Sequence, residues 1–431
     1  MNENNKNTAS LEGISFHSTS NYSIVQEIGR GGMGIVFLAE KDNEGVKDFV
    51  VLKTLKTLSK EHEDRLRREA NIATGLRHEN IVKTYGLEAV PFSHLPEEFV
   101  KEIDSLSFEN ADRRVSSRVM RKEPLAHGAG GSILAGHHLK NEKHKLDEKR
   151  LMLISMDYVE GTDLRALHRE HVMKSLLLPC PIAAFIISRV CRALSYAHQY
   201  IVHRDISPEN ILVNLQGVSK LSDFGVAATN EEEMKLFAGK LCYMSPEQIN
   251  KEQIDARSDI FSLGLVAYEI ITGFNPYTTP PGMPYEEQKN YIKKLMQSEI
   301  MPPMAVRSDV PEPLSKIVAK MLTCDREQRY QRIEDASNDF EQKYLYASGF
   351  GPTNNSLAAY LGIFESGFKN YTQDQLKQLK FLKDEESGKI KLGRKISYSY
   401  YTKEGLKLLS EKDWTRVFQV LAKEKMKESM I

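Results

Sequence analysis

The chain has 431 residues, 41% of them apolar, with Lys+Arg and Asp+Glu balanced at 59 each, enough for two or three domains of roughly 100–200 residues. The even balance excludes a global basic field for nucleic acid and an acidic solvating tail. Four cysteines, Cys180, Cys191, Cys242 and Cys324, lie too far apart for a disulfide framework or a Cys-x-x-Cys metal site, so a reducing, cytoplasmic setting is expected.

Residues 1–21 are polar and lack the basic start and apolar core of a secretory signal; a flexible tail is expected there. An extended segment over 22–27 leads into Ile28-Gly29-Arg30-Gly31-Gly32-Met33-Gly34-Ile35-Val36. Strand-like residues continue past Gly34 and no helix opens there, so the pattern predicts a hairpin rather than a dinucleotide turn. Gly29, Gly31 and Gly34 let backbone approach phosphate closely. Residues 49–53 form a short apolar strand ending in Lys53, which is either a phosphate-reaching ammonium or an ordinary surface lysine. Leu66, Ile72, Ala73 and Leu76 then share a helical face, in a run that also carries Glu69.

A stretch of residues, about 92–149, is far too long for an ordinary connection. Its centre is His127-Gly128-Ala129-Gly130-Gly131-Ser132, followed by His137, His138, Lys140, Lys143, His144, Lys145 and Lys149. A solvated loop is the plain reading and a docking arm for a partner the sharper one. Residues 151–161 read as a strand running into a connection. The apolar stretch at 176–194 is broken by Pro179, Pro181, Arg189 and Arg192, which a membrane span of about 20 apolar residues would not readily carry. A buried helix is predicted.

That helix delivers His203-Arg204-Asp205-Ile206-Ser207-Pro208-Glu209-Asn210, followed by Ser222-Asp223-Phe224-Gly225. Asp205 is a carboxylate placed to take the proton of an attacking hydroxyl, and Asn210 and Asp223 present oxygen to a hard cation. Past residue 344, Gly349-Phe350-Gly351-Pro352 is a breaker. Leu357, Tyr360, Leu361 and Phe364 keep helical spacing, as do Trp414, Val417, Phe418 and Leu421. Residues 390–401 mix β-formers with lysine and suggest a hairpin. The expected role of this extension is packing on what precedes it, with a docking or autoinhibitory module as the alternative.

The motifs, in this order, resemble the eukaryotic-type (Hanks-type) serine/threonine protein kinases over residues 22–344. The Gly-Gly-Met-Gly turn and Tyr243-Met244-Ser245-Pro246-Glu247-Gln248 look most like the soluble bacterial members. The resemblance implies an α+β, two-lobed kinase fold: a small antiparallel β lobe with one helix and a larger, mainly helical lobe. Domains would then run 1–21 (tail), 22–347 (kinase, with the insertion at about 92–149) and 348–431 (mainly helical extension). It implies ATP with Mg²⁺ or Mn²⁺, Asp205 as base, Asn210 and Asp223 as metal ligands, and Lys53 held by Glu69. Ile28, Gly29, Gly31, Gly34, Val36, Met156 as gatekeeper, the Asp157 carbonyl, the Val159 amide and Leu212 would contact the nucleotide. The implied partner is a protein with a Ser/Thr acceptor, since Pro208-Glu209 lacks the tyrosine-kinase pattern; Glu209 would attract a basic residue near that acceptor. Neither nucleic acid nor membrane is implied.

Several residues depart from the family pattern. Ser207 stands where serine/threonine kinases place a lysine, and Lys240 where they place a threonine; Lys240 is expected to reach Asp205 and the γ-phosphate in compensation. Val51 replaces the usual alanine and narrows the adenine roof. Arg204 marks the subclass controlled by activation-segment phosphorylation, yet Thr229 is the one hydroxyl between Gly225 and Gly239, and Glu231, Glu232 and Glu233 follow it. Glu247 is expected to pair with Arg329, and Asp259 to hold the catalytic-loop backbone. The rival readings are a weakly active pseudokinase that scaffolds a partner and a small-molecule phosphotransferase.

Overall fold

β-Branched and aromatic residues recur between residues 15 and 157, and they build six strands: β1 (Ser15–His17), β2 (Asn21–Gly31), β3 (Gly34–Asn43), β4 (Val46–Leu55), β5 (Thr84–Pro91) and β6 (Arg150–Asp157). The strands make one antiparallel sheet in the order β1-β2-β3-β4-β6-β5. The computed structural model describes residues 11, 13–31, 34–55, 60–108, 150–173, 176–224, 238–347, 351–365, 381–383 and 390–392. Two compact units result, Met1–Gly75 with Lys83–Tyr158, and Leu76–Val82 with Val159–Ile431.

In the first unit the strand period sorts side chains by face. Val50 and Leu52 of β4 join Ile35, Phe37 and Leu153 in one apolar cluster, while Lys53, one residue on, turns to the opposite face. Helix α1 (Lys60–Gly75) carries Glu69 and buries Leu66, Ala70 and Ala73.

Two expectations are corrected in this unit. Residues 13–20 are not a tail: β1 pairs with β2 through Ser15↔Ser23 and Phe16↔Tyr22, and Leu11 and Phe16 are buried in the cluster. The insertion is not solvated throughout either. A 3₁₀ turn (Phe92–His94) and helix α2 (Glu97–Phe108) follow β5 directly. Phe99, Val100 and Ile103 form a stripe that covers the cluster, with the Phe99 ring 5.3 Å from Phe37 and 5.6 Å from Phe16. The sheet face offers apolar surface that a helix can remove from water, which the length of the insertion alone did not reveal. The histidine- and lysine-bearing part, 109–149, lies outside the described residues.

The second unit holds a small antiparallel sheet of β7 (Gly161–Asp163), β8 (Ile211–Asn214) and β9 (Ser219–Leu221). Its helices are α3 (Leu164–Met173), α4 (Cys180–Ala197), α5 (Pro246–Asn250), α6 (Ala256–Thr272), α7 (Tyr285–Leu295), α8 (Pro303–Val306), α9 (Glu312–Met321), α10 (Ile333–Asp339) and α11 (Asn354–Glu365). The α4 helix is the predicted buried one. It is long and apolar enough to cross a membrane, yet its side chains are mostly enclosed in this unit. Its one buried charge, Arg189, is matched by Glu341 at 2.7 Å, as a desolvated cation requires.

Helix α11 packs into this unit, burying Leu357, Tyr360 and Leu361. Tyr360 Oη donates to His171 Nε2 of α3 at 2.6 Å, and the other ring nitrogen, Nδ1, donates to the Leu167 carbonyl at 2.7 Å. At the β8–β9 turn Gly217 has φ 74°, and a Cβ there would lie 1.9 Å from the Asn354 carbonyl oxygen, so only glycine admits the start of α11. β11 (Ile390–Leu392) pairs with β10 (Phe381–Lys383) upstream of it, and the rest of the hairpin expected over 390–401 lies outside the described residues. Residues 393–431, including Trp414, Val417, Phe418 and Leu421, lie outside the described residues.

Candidate active site

In the first unit, the glycine turn is shaped by packing. Gly31 and Gly34 face each other across β2 and β3, and Gly29 faces Val36. Gly34 has φ 149°, and a Cβ there would lie 2.0 Å from the Thr54 carbonyl oxygen. The same Thr54 accepts the Ile35 N–H through Oγ1 at 2.7 Å. Gly34 is therefore required by the sheet itself, whatever the turn binds. Ile28, at the register shift of β2 between Glu27 and Gly29, is 43% exposed. Lys53 is paired in register with Val36 on β3 and Ile154 on β6, and it is half-buried, as is Glu69 on α1. Met156 is buried between Val51 and Thr84, and the Asp157 N–H donates to the Lys83 carbonyl at 2.9 Å. Tyr158, one residue after Asp157, closes this unit, and Val159 resumes the other.

The second unit brings the chemistry-bearing residues together. The chain turns sharply after His203, where Arg204 adopts φ 65°, a left-handed conformation that costs a non-glycine residue roughly 1 kcal/mol or more. Asp259, buried in the first turn of α6, holds it there. Its Oδ2 accepts the His203 N–H at 2.8 Å and its Oδ1 the Arg204 N–H at 2.7 Å, while His198 Nε2 donates to Oδ2 at 2.9 Å. Burial works to raise the Asp259 pKa, but these donors outweigh it and hold the carboxyl below its ordinary value. The Arg204 carbonyl in turn accepts from Gln248 Nε2 of α5 at 2.8 Å. That helix starts with a reciprocal Ser245–Gln248 cap.

His203 links the two motifs. Its Nε2 donates to the Ser222 carbonyl at 2.8 Å, so Nδ1 is the acceptor facing the Asp205 N–H at 3.3 Å. The His203 ring also meets Phe224 edge-on at 4.6 Å. Ser222 donates from its N–H to the Asn210 carbonyl at 2.9 Å. Asp223, with φ 63°, is thereby carried on a segment tied to both His203 and Asn210.

Asp205 is mostly enclosed and its Oδ2 accepts twice, from Asn210 Nδ2 at 2.9 Å and from Lys240 Nζ at 2.6 Å. Asn210 Nδ2 also donates to the Asp205 main-chain carbonyl at 2.7 Å. These two bonds fix the amide so that its oxygen points away, with Lys240 Nζ 3.5 Å from it. The expected reach of Lys240 to Asp205 is thus found. Ser207 is fully buried, turned away from solvent. Leu212 is half-buried on β8.

Asn210 and Asp223 offer an amide and a carboxylate oxygen, which suits Mg²⁺, an ion that takes one or two protein oxygens and completes its shell with phosphate and water. Among the described residues no group of three or more His, Cys, Asp or Glu could cage a metal unaided. The donor set therefore fits a metal that arrives with a phosphate ligand.

Glu247 pairs with Arg329 as expected, through two buried bonds of 2.8 and 2.9 Å, with Ser258 Oγ donating at 2.6 Å. Several partners were not foreseen: Gln248, His198, and a cluster of Arg165, Glu209, Tyr243 and Glu269. A long-range hydrogen bond leaves no local sequence pattern, although the capping-box spacing of Ser245 and Gln248 was legible. Gly225, Thr229, Glu231, Glu232 and Glu233 lie outside the described residues.

Known proteins match on these same segments. The family model described as protein kinase domain matches residues 138–344, and that described as protein tyrosine and serine/threonine kinase matches 22–99. The chain is 27% identical over 361 residues to the tyrosine-protein kinase MasK of Myxococcus xanthus, covering 79% of this chain and 46% of that protein. It is 33% identical over 194 residues to the probable serine/threonine-protein kinase CPE1738 of Clostridium perfringens, covering 44% of this chain and 27% of the relative. It is also 33% identical over 198 residues to the serine/threonine-protein kinase PknB of Mycobacterium leprae, covering 44% and 30%. The chain thus spans less than half the length of these relatives. With the antiparallel small unit, the helical large unit and both motif segments matched, the chain belongs to the eukaryotic-type (Hanks-type) protein kinase family.

Proposed function

We propose that this chain transfers the γ-phosphate of ATP to serine or threonine hydroxyls of a protein. The observation that carries the reading is the carboxylate of Asp205, held by Asn210 and Lys240 on a loop that His203 and Asn210 tie to the segment bearing Asp223. The acceptor oxygen forms a bond to the γ-phosphorus, the bond to the β–γ bridging oxygen breaks to release ADP, and Asp205 takes the hydroxyl proton. Asn210 and Asp223 would hold a divalent ion, which would neutralise charge on the phosphate oxygens. Lys240 supplies a cation at the transferring phosphate where Ser207 cannot. Lys53, oriented by Glu69, steadies the other phosphates under the turn bearing Gly29, Gly31 and Gly34. Ile28, Val36, Met156 and Leu212 enclose the adenine, and the Asp157 carbonyl and Val159 N–H bond its edge.

The acceptor follows from Pro208 and Glu209, which resemble the serine/threonine pattern. A tyrosine acceptor is the second reading, favoured by the similarity to a relative described as a tyrosine kinase. Phosphoamino-acid analysis of the autophosphorylated chain separates the two. Phosphoserine or phosphothreonine supports the proposal, and phosphotyrosine alone overturns the acceptor assignment.

A further inference from the structure

Arg165, at the start of α3, spends its whole guanidinium on Glu209, Glu269 and Tyr243. Nε donates to Glu209 Oε1 at 2.8 Å, Nη1 to Glu269 Oε1 at 2.5 Å, and Nη2 to the Tyr243 hydroxyl, which itself donates to Glu269 Oε2. Glu209 lies four residues after Asp205, and Tyr243 closes the same 3₁₀ turn that carries Lys240. The cluster therefore touches both segments that present Asp205 and Lys240.

The two acids differ in reach. The Glu209 side chain is 43% exposed and Glu269 only 7%, so Glu209 is the carboxylate an incoming peptide could meet. Burial pushes the Glu209 pKa up, yet Arg165 more than offsets it and keeps the carboxyl below its ordinary value. The other acid of the same loop, Asp205, is held by Lys240. A peptide arginine arriving here meets carboxylates already matched to internal cations. Displacing Arg165 would strand Glu269 in the interior without its cation, which is far more costly than breaking an exposed pair.

We propose that Arg165 is a specificity-determining residue: by occupying the Glu209–Glu269 pair from within the chain, it makes the kinase take acceptors whose flanks carry no arginine or lysine. The inference rests on the protein-kinase reading above and reverses the expectation that Glu209 recruits a basic residue. A guanidinium fork matches two carboxylates geometrically, so a lysine does not substitute for it freely, whereas a peptide arginine has the same fork and can fill the place once Arg165 is removed.

The test uses the full chain and two peptides that share one serine acceptor and differ only in arginine or glutamine at the positions preceding it. Wild type is expected to use the arginine peptide no better than the glutamine one. Arg165→Gln is expected to raise the arginine-to-glutamine ratio of kcat/KM by roughly tenfold or more, the scale of one charge-assisted hydrogen bond. Adding Glu209→Gln to that variant should abolish the gain. A wild type that already favours the arginine peptide tenfold, or an unchanged ratio in Arg165→Gln with the glutamine peptide still used, overturns the inference. Should Arg165→Gln not fold, Glu209→Gln alone decides: an unchanged ratio supports the engaged state of Glu209, and a fall in arginine use overturns it. Absence of transfer to any acceptor, the chain itself included, would instead remove the kinase reading and this inference with it.

Discussion

The Lys240 ammonium lies 2.6 Å from Asp205 Oδ2 and 3.5 Å from Asn210 Oδ1, so one cation contacts both the proposed base and a proposed metal ligand. A serine/threonine kinase normally draws that charge from the lysine two residues after the base, where this chain has the buried Ser207. Lys240→Met is expected to lower kcat by roughly 10²-fold, the usual effect of removing one group that stabilises transition-state charge, with a much smaller change in the KM for ATP. Ser207→Lys added to Lys240→Met should recover part of the loss. Unchanged turnover in Lys240→Met would refute the exchange of roles.

The same contact has an opposite consequence for metal. A positive charge 3.5 Å from Asn210 Oδ1 opposes a divalent ion at that oxygen. Lys240→Met should therefore reach half-maximal activity at a lower Mg²⁺ concentration than wild type even as its maximum falls. Titrating Mg²⁺ at saturating ATP measures this, and an unchanged or raised requirement contradicts it.

Acid should unfold the second unit through named carboxylates. Burial works to raise the pKa values of Glu247 and Asp259, but hydrogen bonds from Arg329 and Ser258 to the first, and from His198 to the second, leave both lowered. The unfolded chain, with carboxyl pKa values of about 4, then binds more protons than the folded one below that pH. Their stabilisation is fully present above the unfolded values and is lost as pH falls through the depressed folded ones. Urea unfolding from pH 7 down to pH 3 should show stability level above about pH 5 and falling below about pH 4. Glu247→Gln should flatten part of that fall and cost about 3–5 kcal/mol at neutral pH, because Arg329 loses its buried partner.

Phe99 makes the start of the insertion part of the first unit's core. It is fully buried against Phe37 and Phe16. Phe99→Ala should destabilise that unit by about 3–5 kcal/mol, the range for deleting a buried aromatic ring, as read by denaturant unfolding. A change below about 1 kcal/mol would show that the helix is only loosely applied.

How far the sequence reveals these features depends on whether the interaction is local. Asp205, Asn210 and Asp223 were legible because the residues of the two motifs sit at short, fixed spacings, and Lys240 because it broke a pattern at a position whose neighbours were recognisable. The Glu247–Arg329 and Asp259 anchors followed from motif positions. Residues 15–17 and Phe99 were missed because a three-residue strand and a stripe inside a long insertion gain their meaning only from the sheet face they cover. Arg165 was missed because its partners, Glu209, Tyr243 and Glu269, lie 44 to 104 positions away in the chain.

The most direct measurement is transfer of radiolabelled γ-phosphate by the purified chain, wild type beside Asp205→Asn, with Mg²⁺ and both autophosphorylation and added neutral acceptor peptide as readouts. The account predicts phosphoserine or phosphothreonine in wild type and its loss in Asp205→Asn, with ATP binding retained in both. ATP binding without transfer by the wild type would contradict it and leave a nucleotide-binding scaffold in its place.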